Sequence, residues 1–180
     1  MRVEALALAL ALALMPGGSM GPLGELTDLM VRRMRVGDLV AAAKFGTPRP
    51  IDDPVRERQV LEGVRARSAA MGLDPESAVR FFRAQIEANK AVQRGLYARW
   101  MRHPDEVPDE RPDLLTDVRQ RLDRLTTELL VELRETERLR RPAVSCEVQA
   151  KLAERSAIVV HHLDEVHEDA LVPAMRTVCS

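Results

Sequence analysis

The sequence predicts an all-α protein, a single-domain bundle of about six helices. Long stretches carry apolar residues at three- and four-residue steps, which is the period of an amphipathic helix. No stretch shows the alternation of apolar and polar residues that is typical of a half-buried strand. A length of 180 residues suits one domain with a hydrophobic core of its own. Glycine and proline separate the apolar stretches, so the helix ends are also predictable.

The first two helices are separated by a turn rich in glycine and proline. The first is predicted over residues 23–45 and ends at "GTPRP", because glycine and proline do not continue a helix. The second begins at "DDP", where Asp52 or Asp53 serves as the N-cap and Pro54 takes the first helical position. It ends near Gly72. The short turn brings the start of the second helix beside the end of the first.

The rest of the chain is predicted to form three or four further helices. Asp74 repeats the start signal in "DPE", and the third helix continues to about Arg102, before the loop "HPDEVPDERPD". A fourth helix is expected over residues 114–140 and ends at Pro142. The remaining chain is expected to form one or two helices, with Pro173 as a kink or break.

Charge and the N-terminal sequence bear on location. The 27 basic and 28 acidic residues are mixed along the chain, which argues against a nucleic-acid or membrane partner. The start, "MRVEALALALALALM", is an apolar stretch followed by small residues, as in a secretory signal peptide, and it is too short to span a bilayer. We therefore expect a signal peptide over residues 1–20, a mature domain over residues 21–180 and a periplasmic or secreted protein. The alternative is an ordinary apolar N-terminal helix.

Two amides interrupt the apolar stripe of the third helix. At helical spacing this stripe contains Asn89 and Gln93 between hydrocarbon side chains. A buried amide without a hydrogen bond costs about 1 to 3 kcal/mol, so both side chains are expected to meet a polar partner.

Cations occupy the inward stripes of the other three long helices. They are Arg33 and Lys44 in the first helix, Arg56 in the second and Arg119 in the fourth. Nearby, Asp53 and Glu57 supply at most two compensating anions. Because unpaired buried cations are very costly, the missing negative charge is expected to come from a ligand, and a small dicarboxylate fits arginine well. The alternative at each position is an ion pair that fixes the register of the bundle.

The two cysteines, Cys146 and Cys179, lie in the C-terminal part. An even number of cysteines in an exported chain favours a disulfide, and two buried free thiols are the alternative. Closing a loop of this length would stabilise the fold by roughly 3 to 4 kcal/mol.

The segment "HHLDEVHED" has histidines and carboxylates at helical spacing, as some metal sites do. A two-metal bundle needs a second such motif on another helix, and none is present in the sequence. We therefore expect a solvated polar face there, and neither a metal nor a cofactor.

Several segments, taken in order, resemble a known family. They are "RMRVGDLVAAAKF", "PIDDPVRERQ", "FFRAQIEANKAVQ" and "DVRQRLD", followed by the two cysteines around the C-terminal helices. Together they resemble the all-helical chorismate mutases, specifically the secreted gamma subclass, over essentially the whole mature chain. The resemblance implies a chorismate mutase type II fold with catalytic helices over residues 23–140 and bracing helices over residues 143–180. It also implies a homodimer and a reaction that needs no cofactor.

The resemblance implies that chorismate is the substrate and that a Claisen rearrangement converts it to prephenate. Three cations would hold its two carboxylates: Arg33, Arg56 and Arg119. Lys44 and Gln93 would donate hydrogen bonds to the ether oxygen, where negative charge develops as the bond breaks. The exported binding module that captures a dicarboxylate without turnover remains the alternative function.

The resemblance also assigns the remaining polar residues. Asn89 would contact a substrate carboxylate, and Asp53 with Glu57 would lie near the ring hydroxyl. The spacing around Arg119 differs from the family pattern by about a residue, so Arg121 and Arg111 are alternatives for that position, although only Arg119 falls on the inward row of its helix.

Overall fold

The computed structural model describes residues 18–179, so most of the predicted signal peptide lies outside the described residues. No β-strand occurs in this part of the chain, which confirms the all-α prediction. Its seven α-helices are α1 (Gly24–Lys44), α2 (Pro54–Ala70), α3 (Pro75–Arg102), α4 (Arg119–Glu135), α5 (Glu137–Arg140), α6 (Ala143–Val160) and α7 (Glu165–Met175).

Two aspartates begin α2 and α3, as the sequence predicts. Asp53, rather than Asp52, is the N-cap of α2, and its carboxylate accepts a hydrogen bond from the main-chain N–H of Arg56 at 3.0 Å. Asp74 caps α3 in the same way. In both helices a proline follows, where its missing N–H costs nothing.

The predicted fourth helix is divided, which gives seven helices instead of about six. It consists of a π-helical turn at Leu114–Val118, then α4, then the single turn of α5. The break falls at Thr136, whose hydroxyl donates to the carbonyl of Glu132 at 2.6 Å. Thr126 and Thr127 bond back in the same way inside α4 without interrupting it, so this hydroxyl does not by itself account for the break.

Of the two alternatives predicted at Pro173, a kink or a break, the break is wrong. This proline lies inside α7, which continues to Met175. The helix ends within a turn of the proline, so only one hydrogen bond of the ladder is lost there.

α1 lies at the centre of the bundle, where it contacts α3, α4, α6 and α7. Leu26, Met30 and Met34 on this helix are almost completely buried. Gly37 allows α1 and α3 to approach closely, because a Cβ atom there would lie 3.1 Å from the main-chain oxygen of Asn89. The side chains that follow Gly37 on α1 are thereby held against the polar stripe of α3.

The C-terminal helices are joined to each other by a disulfide between Cys146 and Cys179, as predicted. The bond spans 33 residues and lies outside the region of the polar stripes. A loop of this length corresponds to a stabilisation of about 3 to 4 kcal/mol in the chain-entropy model.

The expectation of a solvated face around "HHLDEVHED" is wrong for two of its histidines. His167 is buried, and its Nε2 lies 2.9 Å from Oδ1 of Asp38 on α1. The hydrogen bond that His167 donates to Asp38, together with the one to Asp164, raises the pKa of His167. His161 contacts Asp28 on the same helix at 2.7 Å. These contacts attach the C-terminal helices to α1.

Among residues 18–179, no group of three or more histidine, cysteine, aspartate or glutamate side chains is arranged to hold a metal ion. Over the same residues, every helix is too short or too polar to cross a bilayer.

Candidate active site

All eight predicted binding residues line one cavity, which lies between α1, α2, α3 and the start of α4. Its volume is about 200 Å³. These residues are Arg33, Lys44, Asp53, Arg56, Glu57, Asn89, Gln93 and Arg119. Apolar side chains, among them Val40, Ile86 and Leu122, separate the charged groups. The cavity therefore combines an apolar body with convergent polar groups, which is the usual composition of a small-molecule site.

A larger cavity of about 330 Å³ lies beside the disulfide, but its chemistry is different. Its most buried cation, Arg140, already donates to the main-chain carbonyls of Val178 and Leu133. It therefore has little capacity left for an added anion. Size alone does not identify the functional site here.

Arg33 is the most unusual group in the cavity. Its side chain is almost completely buried, with 4% exposure. Among the described residues no carboxylate lies within ion-pair distance of it, and its Nε has no hydrogen-bond partner. Burial lowers the pKa of Arg33 to about 10, so the side chain is still a cation at neutral pH. The fold compensates this burial with the ring of Phe82, 5.7 Å away, and with the charge of Asp123, which raises the pKa of Arg33 without forming an ion pair.

Lys44 is the last residue of α1 and is held by the following loop. Its Nζ donates to the carbonyl of Pro50 at 2.7 Å and lies 3.4 Å from that of Ile51. Burial lowers the pKa of Lys44, while Asp53 and Asp52 raise it. Because an ammonium has three donors, at least one remains for a ligand in the cavity.

The two predicted amides meet each other. Nε2 of Gln93 donates to Oδ1 of Asn89 at 2.9 Å, and Nδ2 of Asn89 lies 3.5 Å from the main-chain oxygen of Arg33. Oε1 of Gln93 is buried without a partner among the described residues. The sequence-based expectation that these amides find polar partners is thus met for the donors and not for this oxygen.

The anionic side of the cavity includes a lysine that the sequence analysis missed. Lys90 is 8% exposed, and its Nζ lies 3.2 Å from Oε1 of Glu57 and 3.1 Å from Oδ1 of Asp52. Glu87, one turn earlier, is 2.8 Å away. Lys90 is one of only three lysines in the chain, and this rarity could have marked it as a candidate site residue.

The structure distinguishes the arginines proposed for the last carboxylate site. Arg119 lines the cavity, whereas Arg111 donates to the main-chain oxygens of Ala42 and Phe45 at 2.8 and 2.7 Å. Arg121 is exposed and does not line the cavity. Arg119 is itself exposed, so the prediction of a buried arginine there is wrong.

The charges of the cavity do not balance. Asp123, also missed in the sequence analysis, lies 3.9 Å from Arg56, which is half-exposed. With Lys90 and Asp123 included, five cationic and three anionic side chains line the cavity. The excess of two positive charges equals the one that the sequence predicts, but Lys90 also pairs with Asp52 and Glu87 just outside the lining. Of the five cations only Arg33 and Lys90 are buried. Arg33 is therefore the buried cation of the cavity that a ligand carboxylate would pair with.

Comparison with known proteins supports this picture. The family model of chorismate mutase type II matches residues 24–94, which span α1, α2 and most of α3. A secreted chorismate mutase of Mycobacterium tuberculosis is 32% identical over 157 residues, which are 87% of this chain and 78% of that protein. The chain belongs to the type II chorismate mutases. A second secreted chorismate mutase, from Mycolicibacterium smegmatis, is also 32% identical, over 88% of this chain and 86% of that protein.

The fold is that of the type II chorismate mutases as well. The crystal structure of chorismate mutase from Burkholderia thailandensis superposes with a TM-score of 0.80 at 35% identity. The match covers 86% of this chain and 97% of that one. The similarity therefore includes the C-terminal helices, which lie beyond the residues matched by the family model.

Proposed function

We propose that the cavity binds chorismate and rearranges it to prephenate, the reaction of the family to which the chain belongs. The observation that carries this proposal is Arg33, a buried cation whose guanidinium has no anion within ion-pair distance among the described residues. A carboxylate of the substrate would supply that anion through paired hydrogen bonds. This enzyme is an isomerase, since the ether C–O bond breaks and a C–C bond forms within one molecule.

The three arginines are proposed to act by orientation. Arg33, Arg56 and Arg119 approach the cavity from α1, α2 and α4, so they are able to hold two carboxylates at separate points. A substrate fixed in this way is kept in the compact conformer in which the two reacting carbons meet. Holding the reacting carbons in this geometry lowers the activation free energy of the rearrangement, because the entropy of ordering the substrate is already lost on binding.

Lys44 and Gln93 are proposed to stabilise the ether oxygen in the transition state. Negative charge develops on this oxygen as its bond breaks, so a donor aimed at it contributes more in the transition state than in the ground state. The carbonyls of Pro50 and Ile51 already hold the ammonium of Lys44, which makes it a preorganised donor. Gln93 would contribute a hydrogen of Nε2 by exchanging its weaker contact, 3.4 Å to the main-chain oxygen of Asn89, for the ether oxygen.

The remaining polar residues are proposed to contact the periphery of the substrate. Asn89, beside Arg33, would donate to a carboxylate, and Asp53 with Glu57 would lie near the ring hydroxyl. Glu57 is held by Lys90, so its carboxylate has a fixed position. No nucleophile or cofactor is required by this mechanism.

A turnover assay tests the proposed function. When purified protein is mixed with chorismate, the ultraviolet absorbance of chorismate should decrease. Prephenate should appear in proportion to the chorismate that is lost. The competing function is an exported module that binds a small dicarboxylate in the same cavity without reaction. Saturable binding of chorismate with no prephenate formed would favour that module and contradict the mutase.

The role given to Gln93 predicts a flat pH profile. A glutamine amide donates at any ordinary pH, so kcat should stay nearly constant from mildly acidic to neutral pH. In Gln93→Glu the donor must be a protonated carboxyl, and kcat should fall by up to about tenfold for each pH unit above the pKa of that carboxyl. Steady-state rates over this range, with circular dichroism to monitor the fold, give the comparison. A steep profile in the unchanged protein would contradict the assignment.

Location and assembly are also proposals. The two relatives from Mycobacterium tuberculosis and Mycolicibacterium smegmatis are secreted chorismate mutases. The Cys146–Cys179 disulfide also suits an oxidising compartment. We therefore propose that residues 1–20 direct export and that the mature enzyme, residues 21–180, acts in the periplasm or outside the cell. The homodimer implied by the family resemblance is proposed on that resemblance alone.

A further inference from the structure

The position of Lys44 depends on a loop rather than on α1 itself. Its Nζ is held by the main-chain oxygens of Pro50 and Ile51, which belong to the segment between α1 and α2. Main-chain oxygens move with the loop that carries them. A small displacement of this loop would therefore displace the ammonium within the cavity.

The same loop is attached to α3 at the next residue. Both carboxylate oxygens of Asp52 accept hydrogen bonds from a guanidinium nitrogen of Arg94, at 2.8 and 2.9 Å. Nζ of Lys90 lies 3.1 Å from Oδ1 of the same carboxylate. Asp52 follows Ile51 directly, so its attachment fixes the carbonyls that hold Lys44.

Lys90 makes this attachment stronger than a surface ion pair. Its side chain is only 11% exposed, and it also contacts Glu57 and Glu87. An isolated exposed pair such as Arg94 with Asp52 would contribute roughly 0 to 1 kcal/mol. A network around a largely buried ammonium is less screened by solvent and holds its members in one arrangement.

We propose that Lys90 and Arg94 are positioning residues for the reaction, which hold Asp52 and thereby place the ammonium of Lys44. This inference rests on the proposed function, because it concerns the delivery of Lys44 to the reacting oxygen. Asp52 also acts through space: its charge raises the pKa of Lys44, as do those of Asp53 and Glu57, while Arg49 lowers it.

A matched ion pair elsewhere separates positioning from simple stabilisation. Arg65 on α2 donates to both carboxylate oxygens of Glu76 on α3, at 2.9 and 3.3 Å. Its side-chain exposures, 47% and 62%, are close to the 50% and 55% of Arg94 and Asp52. The two arginine–carboxylate pairs are thus alike in exposure, but only Asp52 also pairs with Lys90 and directly follows Ile51, whose carbonyl holds Lys44.

The test compares Asp52→Asn with Glu76→Gln in the full-length enzyme, with chorismate as substrate. In Asp52→Asn we expect kcat to fall by about tenfold with KM changed by less than about twofold, because a misplaced donor weakens the transition state more than binding. We also expect the alkaline limb of the kcat profile to move to lower pH, since one charge that raises the pKa of Lys44 is lost. Glu76→Gln should change neither. Arg94→Met provides a second variant, with a smaller loss of kcat.

The outcomes are distinct. An active wild-type enzyme whose Asp52→Asn and Arg94→Met variants keep its kcat and alkaline limb would overturn the positioning role and leave the proposed function intact. An equal loss of kcat in Glu76→Gln would also overturn it, because the effect would then be one of general stability. A wild-type protein that binds chorismate without turnover would overturn both proposals.

Discussion

Replacement of Lys44 with alanine is expected to lower kcat by about 10²- to 10³-fold, the usual loss when a preorganised donor to a developing oxyanion is removed. The affinity for chorismate should fall much less, because the three arginines would still meet the carboxylates. Lys44→Arg should also be impaired. A compact ammonium fits a single ether oxygen between the carbonyls of Pro50 and Ile51, whereas a planar guanidinium is shaped for a carboxylate.

The chain offers a matched control for this experiment. Lys151 on α6 is exposed, pairs with the buried Glu154 and does not line the cavity, so its removal is expected to affect stability rather than turnover. Lys151→Ala should keep the wild-type kcat and KM. Steady-state kinetics of all three variants measure the change in kcat. Calorimetric titration with chorismate measures the change in affinity separately. A Lys44→Ala enzyme with near-normal kcat would show that the mechanism is wrong.

The sequence predicts most of the fold because its helix signals are local. Asp53 and Asp74, each followed by proline, mark two helix starts that the structure shows at the same positions. The break at Thr136 was missed because no glycine or proline marks it. Such a choice between helix and turn is not visible in the period of the apolar residues.

The candidate site was predictable where a polar residue interrupts an apolar stripe. Arg33 and Gln93 were found in this way, and both are buried. Lys90 was missed because it lies beside the stripe and is buried by its contacts with Asp52 and Glu57, which come from other elements. Which charges meet across helices depends on packing, and a single sequence does not contain that information.

Arg33 is the residue for which stability and function are expected to oppose each other. The fold gives this buried cation the ring of Phe82 and the charge of Asp123 beyond ion-pair distance, so its desolvation is only partly offset in the free protein. Replacement with methionine keeps most of the volume and removes the charge. By analogy with buried charged groups replaced by apolar ones, the free energy of unfolding should rise by about 1 to 4 kcal/mol.

The same Arg33→Met substitution should lower kcat/KM by about 10²- to 10³-fold, since it removes charge-assisted hydrogen bonds to a carboxylate worth about 1.5 to 3 kcal/mol each. Arg32→Met is the control: Arg32 is the neighbour on α1, half-exposed and paired with Glu25, and its loss should change neither quantity by much. Urea denaturation and steady-state kinetics measure the two effects. If Arg33→Met were less stable than the wild type and equally active, Arg33 would be a structural residue and the anion that the cavity lacks would not be the substrate.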